Sequence, residues 1–344
     1  MKRLAFFVAL VTLFGCASEE KDFLSSLRLR QEELTPEAVM DLSPYNILQP
    51  VRLAKVGGYF AITDNSGAKH LTVIEEGSGK PLDLIPKGRG PGEMIGAMMA
   101  PYLDGVTLYD PSASKTLVYI DLQKSMLEGK ARMDTLGRFM DGFSFPAKIV
   151  CCGRGLIATV AGRKDIWYAS LDRDGRVISS VEPPRYKEMD EMDESTYFSF
   201  LVSSHSTASP DGDKVCSVTP RAAALSFASL DTDGRLSEYR RYELEPPVIV
   251  RGDGRGALSK KGKSGFNPPV SDRDNVYLLY SGKPFDNADS PNYECNHLII
   301  YGWDGVPKRH IVLSESVMSI AVDGSVLYGM SSWPDSRILV YDLS

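Results

Sequence analysis

Basic residues recur in the loops that separate short β-rich segments of this chain. One or two of them occur in each of six such loops, namely Lys69, Lys115, Arg163 with Lys164, Arg221, Lys283 and Arg337. If these loops meet at one end of a ring, their charges focus positive potential on a bound anion. The pattern predicts recognition of an anionic ligand, such as an acidic glycan or a carboxylate-bearing peptide. Scattered, solvated surface charges are the alternative interpretation.

A glycine-rich segment, Lys87-Gly-Arg-Gly-Pro-Gly-Glu93, is a second candidate for anion binding. Its glycines allow tight backbone geometry and can present N–H groups to an anion. The alternative is a structural corner in which Arg89 and Glu93 pair locally. Together with an aromatic residue that can stack on a sugar, these positions form the predicted ligand-binding face: Lys87, Arg89, Glu93, Lys115, Arg163, Lys164, Arg221, Lys283 and Trp333.

Residues for catalysis are harder to find. The chain has only four histidines, and it contains neither a His-Glu-x-x-His pair nor a Gly-x-Ser-x-Gly elbow. We therefore predict no catalytic residue, no metal and no cofactor. An enzyme that builds its site from dispersed carboxylates remains an alternative. Enzymatic activity is therefore left open, and a binding function is favoured.

The elements that position these residues form a repeat. A strand-and-turn unit occurs six times, and its two clearest copies are Tyr168-Ala-Ser-Leu-Asp-Arg-Asp-Gly-Arg176 and Phe227-Ala-Ser-Leu-Asp-Thr-Asp-Gly-Arg235. The best copies turn at Gly, which tolerates positive φ. Each repeat divides into four short strands separated by Gly, Asp, Asn and Pro. The sequence thus predicts an all-β fold, a six-bladed β-propeller over residues 46–344.

The last repeat lacks a fourth strand, while residues 23–30 supply a spare one. In a propeller, a strand from one terminus completes the blade made by the other and protects its open edge. We therefore predict that an N-terminal strand closes the sixth blade. Thr35-Pro36-Glu37 resembles a helix start, which predicts a short helix from there to Leu42. Residues 16–45 are thus expected to hold a linker, the closing strand and this helix.

The N-terminus has the features of a secretory signal. Two basic residues precede an apolar run from Leu4 to Phe14, which is too short to span a bilayer. Leu13-Phe-Gly-Cys16 resembles the bacterial lipobox, in which the cysteine is lipidated. This predicts a signal peptide over residues 1–15 and a membrane anchor at Cys16. The acidic residues that follow resemble an export signal, which indicates an outer membrane lipoprotein facing the cell surface or the periplasm.

The net charge and the number of cysteines limit the possible binding partners and the possible disulfides. A net charge of −6 without a long basic run argues against nucleic acid. Cys16 is assigned to the lipid, and four cysteines are too few for a disulfide framework in so long a chain. We interpret the other four, Cys151, Cys152, Cys216 and Cys295, as buried thiols, and one disulfide among them remains an alternative. The protein is expected to be monomeric.

The segment from Lys87 to Glu93 resembles the Gly-x-Gly-Pro-Gly-Glu segment of TolB-like six-bladed β-propeller lipoproteins. With the lipobox and the repeats, the resemblance covers nearly the whole mature chain. It implies a bacterial envelope location and binding rather than a named reaction, and it carries over no catalytic residues. The predicted function is a lipid-anchored binding or interaction module. The alternatives are a propeller enzyme acting on a glycan, lactone or peptide, and an accessory subunit of an envelope complex.

Overall fold

Six antiparallel sheets follow one another along the chain and close into a ring. A computed structural model describes residues 22–139, 145–252 and 255–344. The predicted signal peptide and Cys16 lie outside the described residues. Within them, the all-β, six-bladed β-propeller is confirmed.

The N-terminal segment contains a short helix and two strands ahead of the first blade. They are α1 (Phe23–Ser26), β1 (Gln31–Leu34) and β2 (Ala38–Asp41), and a 3-10 helix, Ser43–Tyr45, leads into the ring.

Each blade consists of four strands numbered outward from the central channel. Blade 1 contains β3 (Pro50–Val56), β4 (Tyr59–Asp64), β5 (Lys69–Glu75) and β6 (Pro81–Pro86). Blade 2 contains β7 (Met98–Tyr102), β8 (Gly105–Tyr109), β9 (Thr116–Asp121) and β10 (Met133–Arg138). Blade 3 contains β11 (Phe145–Cys152), β12 (Gly155–Ala161), β13 (Tyr168–Leu171) and β14 (Val177–Val181). Blade 4 contains β15 (His205–Ala208), β16 (Lys214–Val218), β17 (Ala223–Leu230) and β18 (Leu236–Glu245).

The remaining strands form a hairpin and the last two blades. The hairpin, β19 (Ile249–Gly252) and β20 (Arg255–Leu258), lies in the connection from blade 4 to blade 5. Blade 5 contains β21 (Val270–Ser271), β22 (Asn275–Tyr280), β23 (Cys295–Gly302) and β24 (Pro307–Val317). Blade 6 contains β25 (Ser319–Asp323), β26 (Val326–Ser331) and β27 (Arg337–Asp342).

The repeated Asp-x-Asp-Gly turns are structural. The Asp172 carboxylate accepts the N–H groups of Asp174 at 2.9 Å and Arg176 at 2.8 Å. In the next blade, Asp231 accepts the corresponding two N–H groups at 2.9 and 2.8 Å. Gly175 and Gly234 have φ of +83° and +79°, a region that favours glycine. The acidic residues at these two positions therefore stabilise the turn between the third and fourth strands of a blade.

The ring is closed from the N-terminus, as predicted, but by a different segment. Strand β2 pairs antiparallel with β27, from Ala38 opposite Val340 to Asp41 opposite Arg337, and so supplies the fourth strand of blade 6. The strand predicted over 23–30 is wrong, since Asp22 caps a helix there with its carboxylate 2.7 Å from Ser25 N. The helix predicted from Thr35 to Leu42 is also wrong, because the open edge of β27 pairs with this segment.

The N-terminal segment also extends blade 5. Strand β1 adds to it as a fifth strand, parallel to β24, with Gln31 opposite His310. The N-terminal residues therefore fasten blade 5 as well as blade 6.

Two helices in the connections were not predicted. They are α2 (Leu122–Glu128) in blade 2 and α3 (Glu194–Ser203) between blades 3 and 4, capped by Asp121 and Asp193. None of the helices in the described residues is long and apolar enough to cross a bilayer. The four cysteines in these residues are buried and unbridged, so the prediction of buried thiols is confirmed.

The N-terminal helix is fixed by one aromatic side chain. Phe23 is fully buried, and its ring lies 5.1 Å from that of Phe266 and 4.7 Å from that of Tyr280. Phe23→Ala is expected to lower the free energy of unfolding by about 3 kcal/mol, because it leaves a cavity among these rings. Urea unfolding measures this. Ser25→Ala, on the exposed side of the same helix, is the control, and equal midpoints for both variants would show that this helix is not part of the cooperative unit.

Candidate functional site

Three basic side chains from different blades converge in the central channel. Arg52 lies on β3, Lys148 on β11 and His205 at the start of β15, all innermost strands. Lys148 Nζ is 3.2 and 3.3 Å from the two ring nitrogens of His205. The charge of Arg52 contributes to lowering the pKa values of both other groups. Because blades 1 and 4 face each other across the ring, the guanidinium must reach into the channel.

Lys148 is held by backbone carbonyls. Its ammonium donates to the carbonyl oxygens of Ser203 and of Ser204, the latter at 2.9 Å, where helix α3 ends. The C-terminal carbonyls of a helix carry partial negative charge and stabilise a cation. Trp167 Nε1 donates to Ser204 Oγ at 3.0 Å and fixes this corner. Burial, with the Arg52 charge as a second cause, holds the pKa of Lys148 well below its ordinary value.

Arg52 differs from Lys148 because no protein group among the described residues accepts a hydrogen bond from it. Within residues 22–139, 145–252 and 255–344, its guanidinium has neither a carboxylate at ion-pair distance nor a hydrogen-bond acceptor. Burial lowers its pKa to about 10, so it stays charged at neutral pH. Lys55 on the same strand is neutralised, with Nζ 2.9 Å from Glu76 and 3.7 Å from Asp323. The Arg52 side chain is partly buried in the channel, where the attraction between opposite charges is stronger than at the open surface, so Arg52 is the residue best placed to receive an anion.

The other groups near the channel cations are neutral. Burial, followed by the charges of Lys148 and Arg52, lowers the pKa of His205 far enough to keep its imidazole uncharged at neutral pH. Small hydroxyl side chains lie on neighbouring innermost strands, where Thr207 Oγ1 is 2.9 Å from Ser271 Oγ. Ser319 Oγ accepts the N–H of Leu53, next to Arg52, at 3.0 Å. The channel thus offers one free guanidinium with polar groups close by.

The glycine-rich segment lies in the connection from blade 1 to blade 2. The Glu93 carboxylate folds back into the loop and accepts the N–H of Gly90 at 2.8 Å. A Cβ atom on Gly88 would lie 2.0 Å from Glu93 Oε2, so this close approach requires glycine. Lys87 is half-buried and Arg89 is exposed. The Glu93 carboxylate of the loop itself therefore takes the backbone N–H group that was predicted to bind an external anion.

The predicted basic residues lie in connections at one end of the ring, where several of them have local partners. This end, called the mouth end, holds the connections between blades and those between the second and third strands. The basic groups there make local contacts: Arg163 with Asp165 at 2.6 Å, Lys164 with Glu194 at 3.1 Å, Lys115 over the Phe145 ring at 4.5 Å, Arg221 over the Phe285 ring at 3.7 Å, and Lys283 with the Glu294 carbonyl at 2.7 Å. Their contact with a ligand stays a prediction.

Trp333 is half exposed at the mouth end, and a buried carboxylate holds its loop in place. Glu294 accepts the Ser332 N–H at 2.8 Å, which joins the loops of blades 5 and 6. The mouth end is not basic as a whole, since its connections carry about as many acidic as basic residues. The acidic insertion between blades 3 and 4 offsets the basic one between blades 4 and 5. Charge is therefore local rather than a property of the whole end.

Sequence reasoning missed Arg52 and Lys148. Arg52 is one of two cations in the innermost strand Pro50-Val-Arg-Leu-Ala-Lys-Val56, and Lys148 is the single cation in Phe145-Pro-Ala-Lys-Ile-Val-Cys-Cys152. A cation inside a mostly apolar strand was the signal in the sequence that could have identified them. The sequence does not show which way such a side chain points, because that depends on the geometry of the blade. In the part of the chain that the structure describes, no group of three or more His, Cys, Asp or Glu side chains is arranged to hold a metal ion.

Histidines of blade 5 make folding sensitive to acid. The Nδ1 atom of His297 lies 3.0 Å from Nε2 of His310, and burial, with His310 as the second cause, lowers the pKa of His297 to about 4. Between about pH 6.5 and 4 the unfolded chain therefore binds a proton that the folded protein does not, and stability falls on acidification. Allowing for partial exposure, we expect this histidine to account for about 1 kcal/mol lost from pH 7 to 5.

The test of this histidine compares urea unfolding of the wild type and of His297→Gln at both pH values. The variant should lose about 1 kcal/mol less than the wild type on acidification. The prediction fails if the two proteins lose the same stability.

The closed ring and its channel define a six-bladed β-propeller, a class that commonly serves in binding or interaction. The chain belongs to the TolB-like 6-blade propeller-like family, whose match spans residues 31–325. No curated protein matches the chain at a significant level.

Solved structures share the fold at low identity. The β-propeller domain of Cps50 (Swd1) from Myceliophteria thermophila is 9% identical with a TM-score of 0.51, over 90% of this chain and 100% of that one. Regucalcin, a calcium-binding protein from Agrobacterium tumefaciens, is 12% identical with a TM-score of 0.48, over 90% and 96%. BamB from Moraxella catarrhalis is 12% identical with a TM-score of 0.43, over 90% and 99%.

Proposed function

We propose that this protein is a lipid-anchored binding module of the bacterial cell envelope, and that its ligand places an anionic group in the central channel. The observation that carries the proposal is the Arg52 guanidinium, partly buried in the channel and without a counter-ion among the described residues. An unpaired charge in a narrow channel attracts an anion more strongly than one at the open surface. The fork of N–H donors on arginine suits a carboxylate or a similar oxyanion.

An acidic glycan or a carboxylate-bearing peptide fits this site. The neutral imidazole of His205, and the hydroxyl of Ser319 beside Leu53, supply uncharged hydrogen-bonding groups near Arg52. The mouth-end residues Arg89 and Trp333 lie where a longer ligand would leave the channel. The proposal thus separates a charged group bound in the channel from weaker contacts at its mouth.

The experiment measures calorimetric binding of two matched probe pairs to the full-length lipoprotein in detergent. One pair is an oligogalacturonate and its methyl ester, and the other is a peptide with a free or an amidated C-terminus. At least one acid form should bind, its neutral counterpart should not, and its affinity should fall as salt rises. Equal binding of acid and neutral forms, or binding of neither pair, contradicts the proposal.

The envelope location is proposed from the lipobox-like Leu13-Phe-Gly-Cys16 and from the family. We propose lipidation of Cys16 and residence at the outer membrane. Incorporation of labelled palmitate and membrane fractionation of the wild type against Cys16→Ser test this point. A Cys16→Ser protein that is still labelled would contradict it.

A further inference from the structure

The described chain begins at the mouth end of the ring. The N–H of Phe23 donates to the Glu245 carboxylate at 2.8 Å, and the Phe23 ring packs against Tyr280. Glu245 ends β18 and Tyr280 ends β22, the fourth strand of blade 4 and the second strand of blade 5. Strands at these two positions run toward the mouth end, since the first strand of each blade starts there. Asp22, the first described residue, therefore lies at the mouth end of the ring.

An exposed basic segment lies directly beside this starting point. The connection from blade 4 to blade 5 carries Lys260, Lys261 and Lys263, all exposed. Lys263 Nζ is 3.4 Å from Oε1 of Glu245, the same oxygen that accepts the Phe23 N–H. The positive charge of Lys263 also contributes to lowering the pKa of Asp22. One carboxylate thus holds together the start of the described chain and the basic segment.

Apolar side chains accompany the cations. Val248 and Val250 lie in the same connection and are about half exposed, at 47% and 51%. Clustered lysines are attracted to the headgroups of an anionic membrane, and exposed apolar side chains beside them add buried apolar area at its interface. At the opposite end, the exposed Leu103 stands beside Asp104, and the cations near the exposed Leu127 are paired, Lys124 with Asp121 and Arg132 with Glu128.

We propose that Val248, Val250, Lys260, Lys261 and Lys263, here called the docking patch, rest on the anionic surface of the bilayer that carries the anchor. The inference rests on the proposed lipid anchor at Cys16. Six residue steps separate Cys16 from Asp22, a reach of about 20 Å when fully extended. Within that reach the patch lies close to the headgroups, where each lysine strengthens binding roughly fivefold. The channel mouth then faces the membrane, and a ligand approaches along its plane.

Fluorescence quenching in reconstituted vesicles tests the orientation. The full-length lipoprotein is labelled with a fluorophore at Val250→Cys or, as the matched control, at Leu127→Cys, which is 78% exposed at the opposite end. The four cysteines of the ring are buried, so they react slowly. Vesicles of phosphatidylglycerol and phosphatidylethanolamine carry a headgroup nitroxide quencher. We expect the Val250→Cys probe to lose more than half of its emission and the Leu127→Cys probe to be little changed. Equal quenching of both probes, or stronger quenching at Leu127→Cys, overturns the proposal.

The second variant separates docking from anchoring. Lys260→Gln with Lys261→Gln removes two patch charges that take no part in holding Phe23, and Lys124→Gln with Lys130→Gln is the control at the opposite end. Only the Lys260→Gln and Lys261→Gln pair should reduce quenching at Val250→Cys, and the reduction should be severalfold. Vesicles of pure phosphatidylcholine, which lack anionic headgroups, should reduce the quenching of the unaltered patch by a similar factor. Unchanged quenching in the first pair overturns the patch. If the anchor itself is wrong, every variant fails to float with the vesicles, while anion binding by the channel is read separately.

Discussion

Met40→Pro is expected to open the ring and lower the free energy of unfolding by about 3 kcal/mol. Strand β2 closes blade 6 through its pairing with β27, in which Met40 faces Ile338. The N–H of Leu42 donates to Ser336 O at 3.0 Å. Because hydrogen-bonded residues alternate along an antiparallel strand, the N–H of Met40 also points toward β27. Proline removes this donor and disrupts the pairing.

Val39→Pro is the matched control, since the N–H of Val39 points away from β27 and its side chain is 56% exposed. Proline is tolerated on an edge strand where the N–H faces solvent, and we expect a loss below about 1 kcal/mol. Urea unfolding gives the two stabilities, and limited proteolysis reports whether the N-terminal segment detaches. Similar losses for both variants would mean that closure does not depend on this ladder.

The repeats were predictable because their signal is local. Alternation and Asp-Gly turns mark each strand where it stands, and the two clearest copies of the repeat contain β13 and the end of β17, each followed by the predicted turn. Closure by the N-terminus was also predictable, since an incomplete sixth blade requires a partner strand. Its position was not, because Ala38–Asp41 becomes a strand only beside β27, while Thr35-Pro36 alone resembles a helix start.

The site was less predictable than the fold because it depends on side chains from separate blades. Arg52 and His205 are far apart in sequence, and only the closed ring brings their charges together. The basic loops gave a visible pattern in the sequence, yet in the structure Arg163 pairs with Asp165 and Arg221 covers Phe285. A local partner is hard to see from charge spacing alone. The absence of a partner, which distinguishes Arg52, is harder still.

Arg52→Gln is expected to weaken binding of the anionic probe by about 3 kcal/mol, roughly a hundredfold in Kd, because the bound anion loses its charged partner. The same change should leave the ligand-free protein about as stable as the wild type, because the partly exposed guanidinium has no partner among the described residues to lose. Unchanged stability with a loss of binding marks a site maintained for its ligand. A structural role would lower both.

Lys55→Met, on the same strand, is expected to show the opposite of Arg52→Gln, namely a loss of stability without a loss of binding. Lys55 is paired with Glu76, and only 1% of its side chain is exposed. Its loss leaves that carboxylate without its partner, so stability should fall while binding of the anionic probe is unchanged. Calorimetric titration and urea unfolding of both variants measure all four quantities. If Arg52→Gln binds as the wild type does while Lys55→Met does not, the anion site lies nearer the opposite end of β3, and the role assigned to the unpaired guanidinium is wrong.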